Sequence, residues 1–212
     1  MSGAVFLSAG MPDPSKPHFV GPSEPIDVIS AVRALVYVVL GRRRLIWGGH
    51  PAITPIVWSV AASLNVDYSK WVTLYQSEFF KDRYPEDNER FSNAHYIPAV
   101  QPSKRMTDDE RQAASLEHMR RSMFGENEFE IAVFIGGMEG IFKEFDLFGD
   151  LCPSGRRLPI LSTGGATLHL AERLSPRERD IDLERLKRDI DYVPLLFDLC
   201  GIDPSEPRSI DR

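Results

Sequence analysis

Four short turns built from small residues are the parts of this sequence that could bind a phosphate. Each follows an apolar run and precedes a helical pattern, so in a parallel sheet all four would lie along the edge formed by the carboxyl ends of the strands. Glycine lets a backbone approach a ligand, and a helix N-terminus presents free N–H groups and a positive dipole end. The alternative is that these glycines serve only the sterics of strand-to-helix turns. The ligand-binding residues predicted in these turns are Ser8, Ala9, Gly10, Gly48, Gly49, His50, Gly136, Gly137, Met138, Glu139, Gly140, Thr163 and Gly164.

Two charged side chains share helical faces with apolar residues. Glu144 lies three residues after Ile141 and four before Phe148, and Arg120 lies three before Met123. Such a carboxylate could accept a hydrogen bond from a ribose hydroxyl or activate a water molecule, and such a guanidinium could neutralise a phosphate. A buried Arg and a buried Glu could equally form a structural ion pair.

The other reactive residue types give weaker signals. His50 follows a glycine pair where a helix begins, so it could bind a phosphate or ribose or simply cap the helix. Cys152 and Cys200 are expected to be packing residues. The spacing of histidines and cysteines is not that of a metal site, so we predict no metal and no required cofactor. The sequence lacks the P-loop motif, and Ser8 lacks the surroundings of a nucleophilic serine.

Strand and helix patterns alternate along the chain. Strands are predicted at 4–7, 45–47, 71–75, 131–135 and 158–161, with an edge strand near 94–100. Helices are predicted at 26–40, 51–64, 107–124, 140–148 and 166–174, and from 180 onward with an interruption at Pro194. The helix at 107 opens with the form of a capping box.

This alternation predicts an α/β fold, Rossmann-like and doubly wound, with a mainly parallel sheet of about five to seven strands and helices on both faces. The length of 212 residues suits one domain, which we place at 1–203. Within it, 78–106 reads as an irregular insertion. Residues 204–212 read as a flexible tail.

Composition excludes several classes of protein. The chain carries 25 Lys and Arg against 31 Asp and Glu, a net charge of −6, which argues against nucleic-acid binding. Short basic pairs such as Arg156–Arg157, and the charged stretch 172–191, are expected to be solvated surface. The longest apolar run, Ala34–Leu40, is far shorter than the roughly 18 residues of a membrane helix. With no secretory signal and few cysteines, the expected location is the cytoplasm.

Two segments carry a resemblance to a known family. Ser115–Phe124, followed by Ile131–Glu144 with its Gly136-Gly137 pair and its glutamate, resembles the signature of the LOG family of nucleoside-monophosphate phosphoribohydrolases. LOG proteins belong to the SLOG superfamily of Rossmann-like domains, which also includes DprA-like proteins. The segments Val5–Ala9 and Leu45–Ile53 look more like the SLOG branch found in bacterial defence and signalling systems, thought to bind nucleotide-derived ligands.

The resemblance implies roles for particular residues and also has departures. Arg120 and Glu144 match the catalytic pair of LOG enzymes. Ile135 and Ile141 stand where the family has Pro and Thr, and one extra residue precedes Gly140. LOG-like proteins commonly dimerise, so the apolar helix at 26–40 could be a dimer contact as well as a buried helix.

Three hypotheses for function follow. The leading one is a sensor domain that binds a nucleotide or nucleotide-derived signal at the carboxyl edge of the sheet, in stress or anti-phage defence. Its expected partners are a second copy of the chain and a separately encoded effector. The second is a nucleotide N-glycosidase in which Glu144 serves the oxocarbenium-like sugar and Arg120 holds the phosphate. The third is a pure protein-interaction module.

Overall fold

A single parallel sheet of six strands forms the centre of the molecule. The computed structural model describes residues 3–17, 19–103, 105–178 and 180–209. The strand order is β4-β3-β2-β1-β5-β6, with all neighbouring pairs parallel. This confirms the predicted fold class. The strands are β1 (Ala4–Gly10), β2 (Leu45–Trp47), β3 (Val72–Ser77), β4 (Ala94–Ile97), β5 (Phe129–Gly136) and β6 (Arg156–Ile160).

Helices cover both faces of the sheet. Because side chains alternate along a strand, Val5 and Leu7 of β1 face one apolar core and Ala4 and Phe6 face the other. The first core is closed by α1, α2 and α7, the second by α4 and α5. In the described part of the chain, no helix is both long enough and apolar enough to cross a bilayer. The helices are α1 (Pro25–Val39), α2 (Thr54–Leu64), α3 (Tyr68–Trp71), α4 (Asp108–Gly125), α5 (Glu139–Leu151), α6 (Leu183–Arg188) and α7 (Tyr192–Leu199).

The ends of two helices follow from local sequence signals. At the start of α4, the Thr107 hydroxyl accepts from the Glu110 N–H at 3.2 Å, and the Glu110 carboxylate accepts from the Thr107 N–H at 2.8 Å. These reciprocal bonds are the predicted capping box. At the end of α1, Gly41 takes a φ of +80°, as expected of the glycine that follows a helix.

Three helix predictions differ from the structure. The segment 166–174, predicted to be a helix, forms short 3₁₀ turns at Gly165–His169 and Ala171–Arg173. Because Gly164 and Gly165 both have positive φ, the chain enters this segment without a preceding α-helical turn. A turn at residues 51–53 precedes α2, which therefore begins at Thr54 rather than at Pro51. Pro194 lies in the first turn of α7, where its missing N–H costs nothing, and the predicted interruption falls instead at 189–191.

The predicted insertion and tail both make contacts with the domain. The insertion holds 3₁₀ turns at Glu78–Arg83 and Glu86–Arg90, and β4, which extends the sheet edge. In the predicted tail, Glu206 pairs with Arg43 at 2.7 Å, and the Ser209 N–H donates to the Gly41 carbonyl at 2.8 Å. Residues 210–212 of that tail lie outside the described residues.

Candidate functional site

A cavity of about 440 Å³ opens at the edge formed by the carboxyl ends of the strands. In the sheet, β2 lies on one side of β1 and β5 lies on the other, so the strand order reverses at β1. The cavity lies at this switch point, which is where ligands bind in open α/β sheets. The structure brings eleven of the predicted site residues to this cavity. They are Ser8, Ala9, Gly10, Gly48, Gly49, His50, Arg120, Gly137, Met138, Gly140 and Glu144.

Four predicted site residues lie outside the cavity lining. The Gly136 N–H donates to the Thr163 hydroxyl at 2.9 Å, and that hydroxyl donates to the Ile160 carbonyl at 2.6 Å. Thr163 is thus buried behind the glycine turn, and the Gly164 carbonyl accepts from the Thr167 hydroxyl. Glu139 pairs with Lys143 on the outer side of α5. Gly136, Thr163 and Gly164 therefore stabilise the turn that precedes α5, and the Glu139 side chain lies on the surface of that helix.

A carboxylate, a guanidinium and a hydroxyl meet in the wall of the cavity. Arg120 donates to Glu144 Oε1 from Nε at 3.0 Å and from Nη2 at 2.9 Å, while the Ser8 hydroxyl donates to Oε2 at 2.5 Å. The side chains of Arg120 and Glu144 are 9% and 17% exposed, and both line the cavity. The ion pair considered from the sequence is formed, and it faces the cavity rather than being sealed from it.

Arg120 reaches this position from the far part of its helix. α4 runs antiparallel to the strands, so its C-terminal half lies away from the carboxyl edge. Because Arg120 is buried and long, its guanidinium extends back along the second core to the first turns of α5. Nη2 of Arg120 lies next to Gly140 in that turn, at an ordinary contact distance of 3.5 Å from the position that a Cβ there would take.

The N-terminus of α5 supplies backbone donors to the same cavity. The Gly137 N–H is used, donating to the Gly10 carbonyl at 2.8 Å. The N–H groups of Met138 and Gly140 have no acceptor among the described residues, and both residues line the cavity. With the dipole of a 13-residue helix behind them, these donors can bind an anion.

His50 caps a turn and also lines the cavity. Its Nδ1 accepts from the Ala52 N–H at 3.2 Å, so it caps the turn that precedes α2. Burial lowers the pKa of His50, and the nearby Glu144 charge opposes this only in part. The neutral ring that accepts at Nδ1 carries its proton on Nε2, which lies beside Gly10 and lines the cavity. His50 can therefore donate one hydrogen bond to a ligand.

The outer wall of the cavity consists of residues that were not predicted from the sequence. Gln76 and Ser77 end β3, and the following turn contributes Phe80, Arg83 and Tyr84. Gln76 and Ser77 could have been predicted with the rule applied to the other strands, that ligands bind at the carboxyl ends of parallel strands. A polar pair at the carboxyl end of β3 must lie on the same edge. The residues after them had been assigned to an irregular insertion.

Replacement of Gly136 by alanine is expected to lower the free energy of unfolding by about 1–3 kcal/mol from backbone strain alone. Its φ is +58°, and a Cβ there would lie 2.8 Å from the Gly10 carbonyl oxygen, so the two turns would have to separate. Denaturant unfolding measures the loss. Gly125→Ala is the matched control, because a Cβ on Gly125 meets nothing within 4 Å and alanine favours the end of α4. Equal stability of the two variants would contradict this account of the turn.

Comparison with known proteins identifies a family for this chain. Among the described residues, no three His, Cys, Asp or Glu side chains come together as metal ligands. A comparison with curated proteins finds no match. The model of the SLOG cluster3 family matches residues 18–199, which include every element that lines the cavity except β1. The chain belongs to the SLOG cluster3 family.

Proposed function

We propose that this chain binds a nucleotide or a nucleotide-derived signal in the cavity at the carboxyl edge of its sheet. The observation that carries the proposal is the convergence of the Arg120 guanidinium and the open N–H groups of Met138 and Gly140 on one cavity at the switch point. A guanidinium and a helix N-terminus together are suited to a phosphate. Membership of the SLOG family is consistent with a nucleotide-related ligand.

The neighbouring polar groups suit a sugar attached to that phosphate. Glu144 already accepts from Arg120 and Ser8, but a carboxylate has about four acceptor positions, so it can also accept from a ribose hydroxyl. His50 Nε2 can donate to a second sugar oxygen or to the phosphate. These hydrogen bonds are sufficient for a ligand to be bound intact.

The proposed role of binding is signalling, in stress or anti-phage defence. α4 and α5 already pack together in the second core, and a ligand in the cavity would add contacts that join them to the turn after β2. The resulting change would be transmitted to a second copy of the chain or to a separately encoded effector. Comparing the molar mass of the chain with and without nucleotide by light scattering tests the first route.

An N-glycosidase is the second candidate function, and the position of Glu144 in the cavity wall favours it. In that reaction Glu144 would take a proton from a water molecule whose oxygen attacks the anomeric carbon. The bond from that carbon to the base nitrogen would break, and the base would leave with the bonding electrons and take up a proton from solvent, while Glu144 would return its proton to solvent. Arg120 would hold the phosphate and so orient the sugar.

One experiment separates the two functions. AMP, ATP, NAD, ADP-ribose and cyclic nucleotides are incubated with wild type, with Glu144→Gln and with Glu139→Gln, and the bound and free fractions are analysed by chromatography. Glu139→Gln is the control, because it removes a carboxylate from the same helix but outside the cavity. We expect at least one nucleotide to be retained intact by wild type and by the control.

Two outcomes would change this conclusion. Release of free base by wild type and Glu139→Gln but not by Glu144→Gln would establish the glycosidase. If no nucleotide is retained or cleaved, the proposed nucleotide site is wrong, and the interaction-module hypothesis gains weight.

A further inference from the structure

We infer that Gln76 selects a nucleobase carrying an exocyclic amino group, by presenting a fixed carbonyl oxygen to it. This inference rests on the proposed function and assigns a base-recognition subsite on the β3 side of the cavity. Gln76 lines the cavity, and its side chain is buried, at 5% exposure. A buried amide that faces a cavity is a specificity element, because a ligand that leaves it unpaired binds less tightly.

The position of Gln76 suits a base rather than a second phosphate. It is the penultimate residue of β3, a strand that lies two strands from β1, or about 10 Å at the usual strand spacing. The anion donors of α5 lie on the other side of β1 from β3. A ligand that reaches from one to the other must extend across β1 and β2, as a nucleoside phosphate does and an isolated phosphate does not.

The hydrogen bonds of Gln76 fix which of its two amide atoms a ligand meets. Nε2 donates to the Gly49 carbonyl at 2.8 Å and to the Gly48 carbonyl at 3.3 Å. Turning the amide over would lose both bonds and place Oε1 against two carbonyl oxygens. The nitrogen is therefore committed to the backbone, and Oε1, which accepts from none of the described residues, remains for a ligand. The subsite offers an acceptor at this point.

The backbone around Gly49 is adapted to hold this amide. Gly49 has a φ of +68°, and a Cβ on it would lie 1.7 Å from Gln76 Nε2. Only glycine allows the amide so close to the turn after β2. The glycine pair predicted to cradle a phosphate thus also orients the side chain that reads the base.

Aromatic side chains beside Gln76 supply a surface on which a planar base can stack. Phe80 and Tyr84 both line the cavity and follow Gln76 in the chain. The Tyr84 hydroxyl donates to the Ser77 carbonyl at 2.8 Å, and its ring packs on Tyr96 at a centroid distance of 5.3 Å. Phe80 packs edge-on against Phe79. Stacking on such rings tolerates any base, so the choice between bases falls to Gln76.

An amino group is the base substituent that complements a lone acceptor. Adenine and cytosine present an exocyclic N–H donor where their oxo counterparts present an acceptor. An oxo group facing Oε1 would leave two acceptors opposed in a buried site. The subsite therefore takes nucleotides with an amino-bearing base.

The test measures the dissociation constants of two matched pairs, AMP with IMP and CMP with UMP, for the full chain. Each pair differs in an amino-to-oxo exchange. We expect the amino member to bind about tenfold more tightly or better. Gln76→Met, which removes the acceptor at similar length, is expected to bring the ratio close to one. Tyr84→Leu is expected to weaken both members of a pair equally and to leave the ratio unchanged.

The failure of this inference can be told apart from the failure of the proposed function. Equal binding of both members by wild type would overturn the inference and leave nucleotide binding intact. Absence of binding for every nucleotide would overturn both. If Gln76→Met does not fold, the dimethylamino analogue of AMP replaces it as the test. Without an N–H donor it should bind as weakly as IMP, and binding as tight as that of AMP would refute the role of Gln76.

Discussion

Replacing Glu178 with glutamine is expected to lower the free energy of unfolding by about 3–5 kcal/mol. Arg157 donates to Glu178 from Nε at 2.8 Å and from Nη2 at 2.5 Å, and both residues are buried. The guanidinium also lies over the Phe145 ring, 4.2 Å from its centroid. Removing the carboxylate charge would leave this guanidinium buried without a counter-charge, which costs more than the pair itself contributes.

The matched control for this variant is Asp146→Asn. Asp146 pairs with Arg173 at 2.6 Å, but those side chains are 54% and 43% exposed. An exposed pair is worth at most about 1 kcal/mol, so Asp146→Asn should barely change the denaturant midpoint. The double variant Arg157→Met with Glu178→Leu should recover most of the loss, since no unpaired charge remains. A loss for Glu178→Gln no larger than that for Asp146→Asn would show that burial does not determine the strength of this pair.

Acid should reduce the stability of the wild type more than that of Glu178→Gln. Burial alone would raise the pKa of Glu178, but hydrogen bonds from Arg157 and Ser175 outweigh it and lower the pKa from 4.5 to about 2. A folded-state pKa below the unfolded value means that the stabilisation is complete above pH 4.5 and is lost as pH falls toward 2. It amounts to about 3 kcal/mol. Urea unfolding at pH 6 and pH 3 should show the gap between the two proteins narrowing, and a constant gap would contradict the assignment.

The Arg157–Glu178 pair matters to the site because it holds the segment behind the glycine turn. After β6 the chain runs through 3₁₀ turns to Glu178, which returns to Arg157 on that strand. Along this path the Ala166 N–H donates to the Gly137 carbonyl at 3.0 Å. The pair thus closes a loop that supports the start of α5 from outside the cavity.

The sequence predicts the sheet edge that carries the site, but it does not predict the buried Arg157–Glu178 pair that supports this edge from behind. Apolar strands that end in glycine-rich turns determine a parallel sheet and its functional edge, and the location of Ser8, Gly137 and Glu144 at the cavity follows from that. Arg156–Arg157 and the stretch 172–191 were expected to be solvated surface, but Arg157 and Glu178 are buried against each other. Their partnership spans 21 residues without periodicity, so it emerges only when the chain returns to β6.

The outer wall of the cavity could not be predicted for a related reason. The segment after β3 has no helical or strand period, and its 3₁₀ turns place Phe80 and Tyr84 through contacts such as the bond from Tyr84 to the Ser77 carbonyl. In the sequence, nothing distinguishes Gln76 from other polar strand residues, because its role depends on the positions of the carbonyl groups in the turn after β2. Only the assembled edge shows that its nitrogen is occupied and its oxygen is not.

Replacing Arg120 with methionine is expected to weaken binding of the phosphate-bearing ligand by about 30-fold or more. Arg120 lines the inner wall of the cavity and pairs there with Glu144. Its loss removes a positive charge that favours binding of a phosphate, and it leaves a carboxylate that repels one. The effect on folding should be smaller than for Glu178→Gln, because Glu144 faces the cavity and water can solvate it once Arg120 is gone. Equilibrium dialysis and denaturant unfolding measure the two effects separately.

Arg121→Met is the matched control for this prediction. Arg121 is the next residue of α4, but it is exposed and pairs with Glu117 one turn earlier, so its loss should change neither affinity nor stability appreciably. If Arg120→Met lowers stability as much as Glu178→Gln but leaves affinity unchanged, the Arg120–Glu144 pair is structural and the phosphate lies elsewhere. If affinity falls while the fold holds, the ion pair is the inner wall of the binding site. Its two charges then serve the phosphate and the ribose of the same ligand.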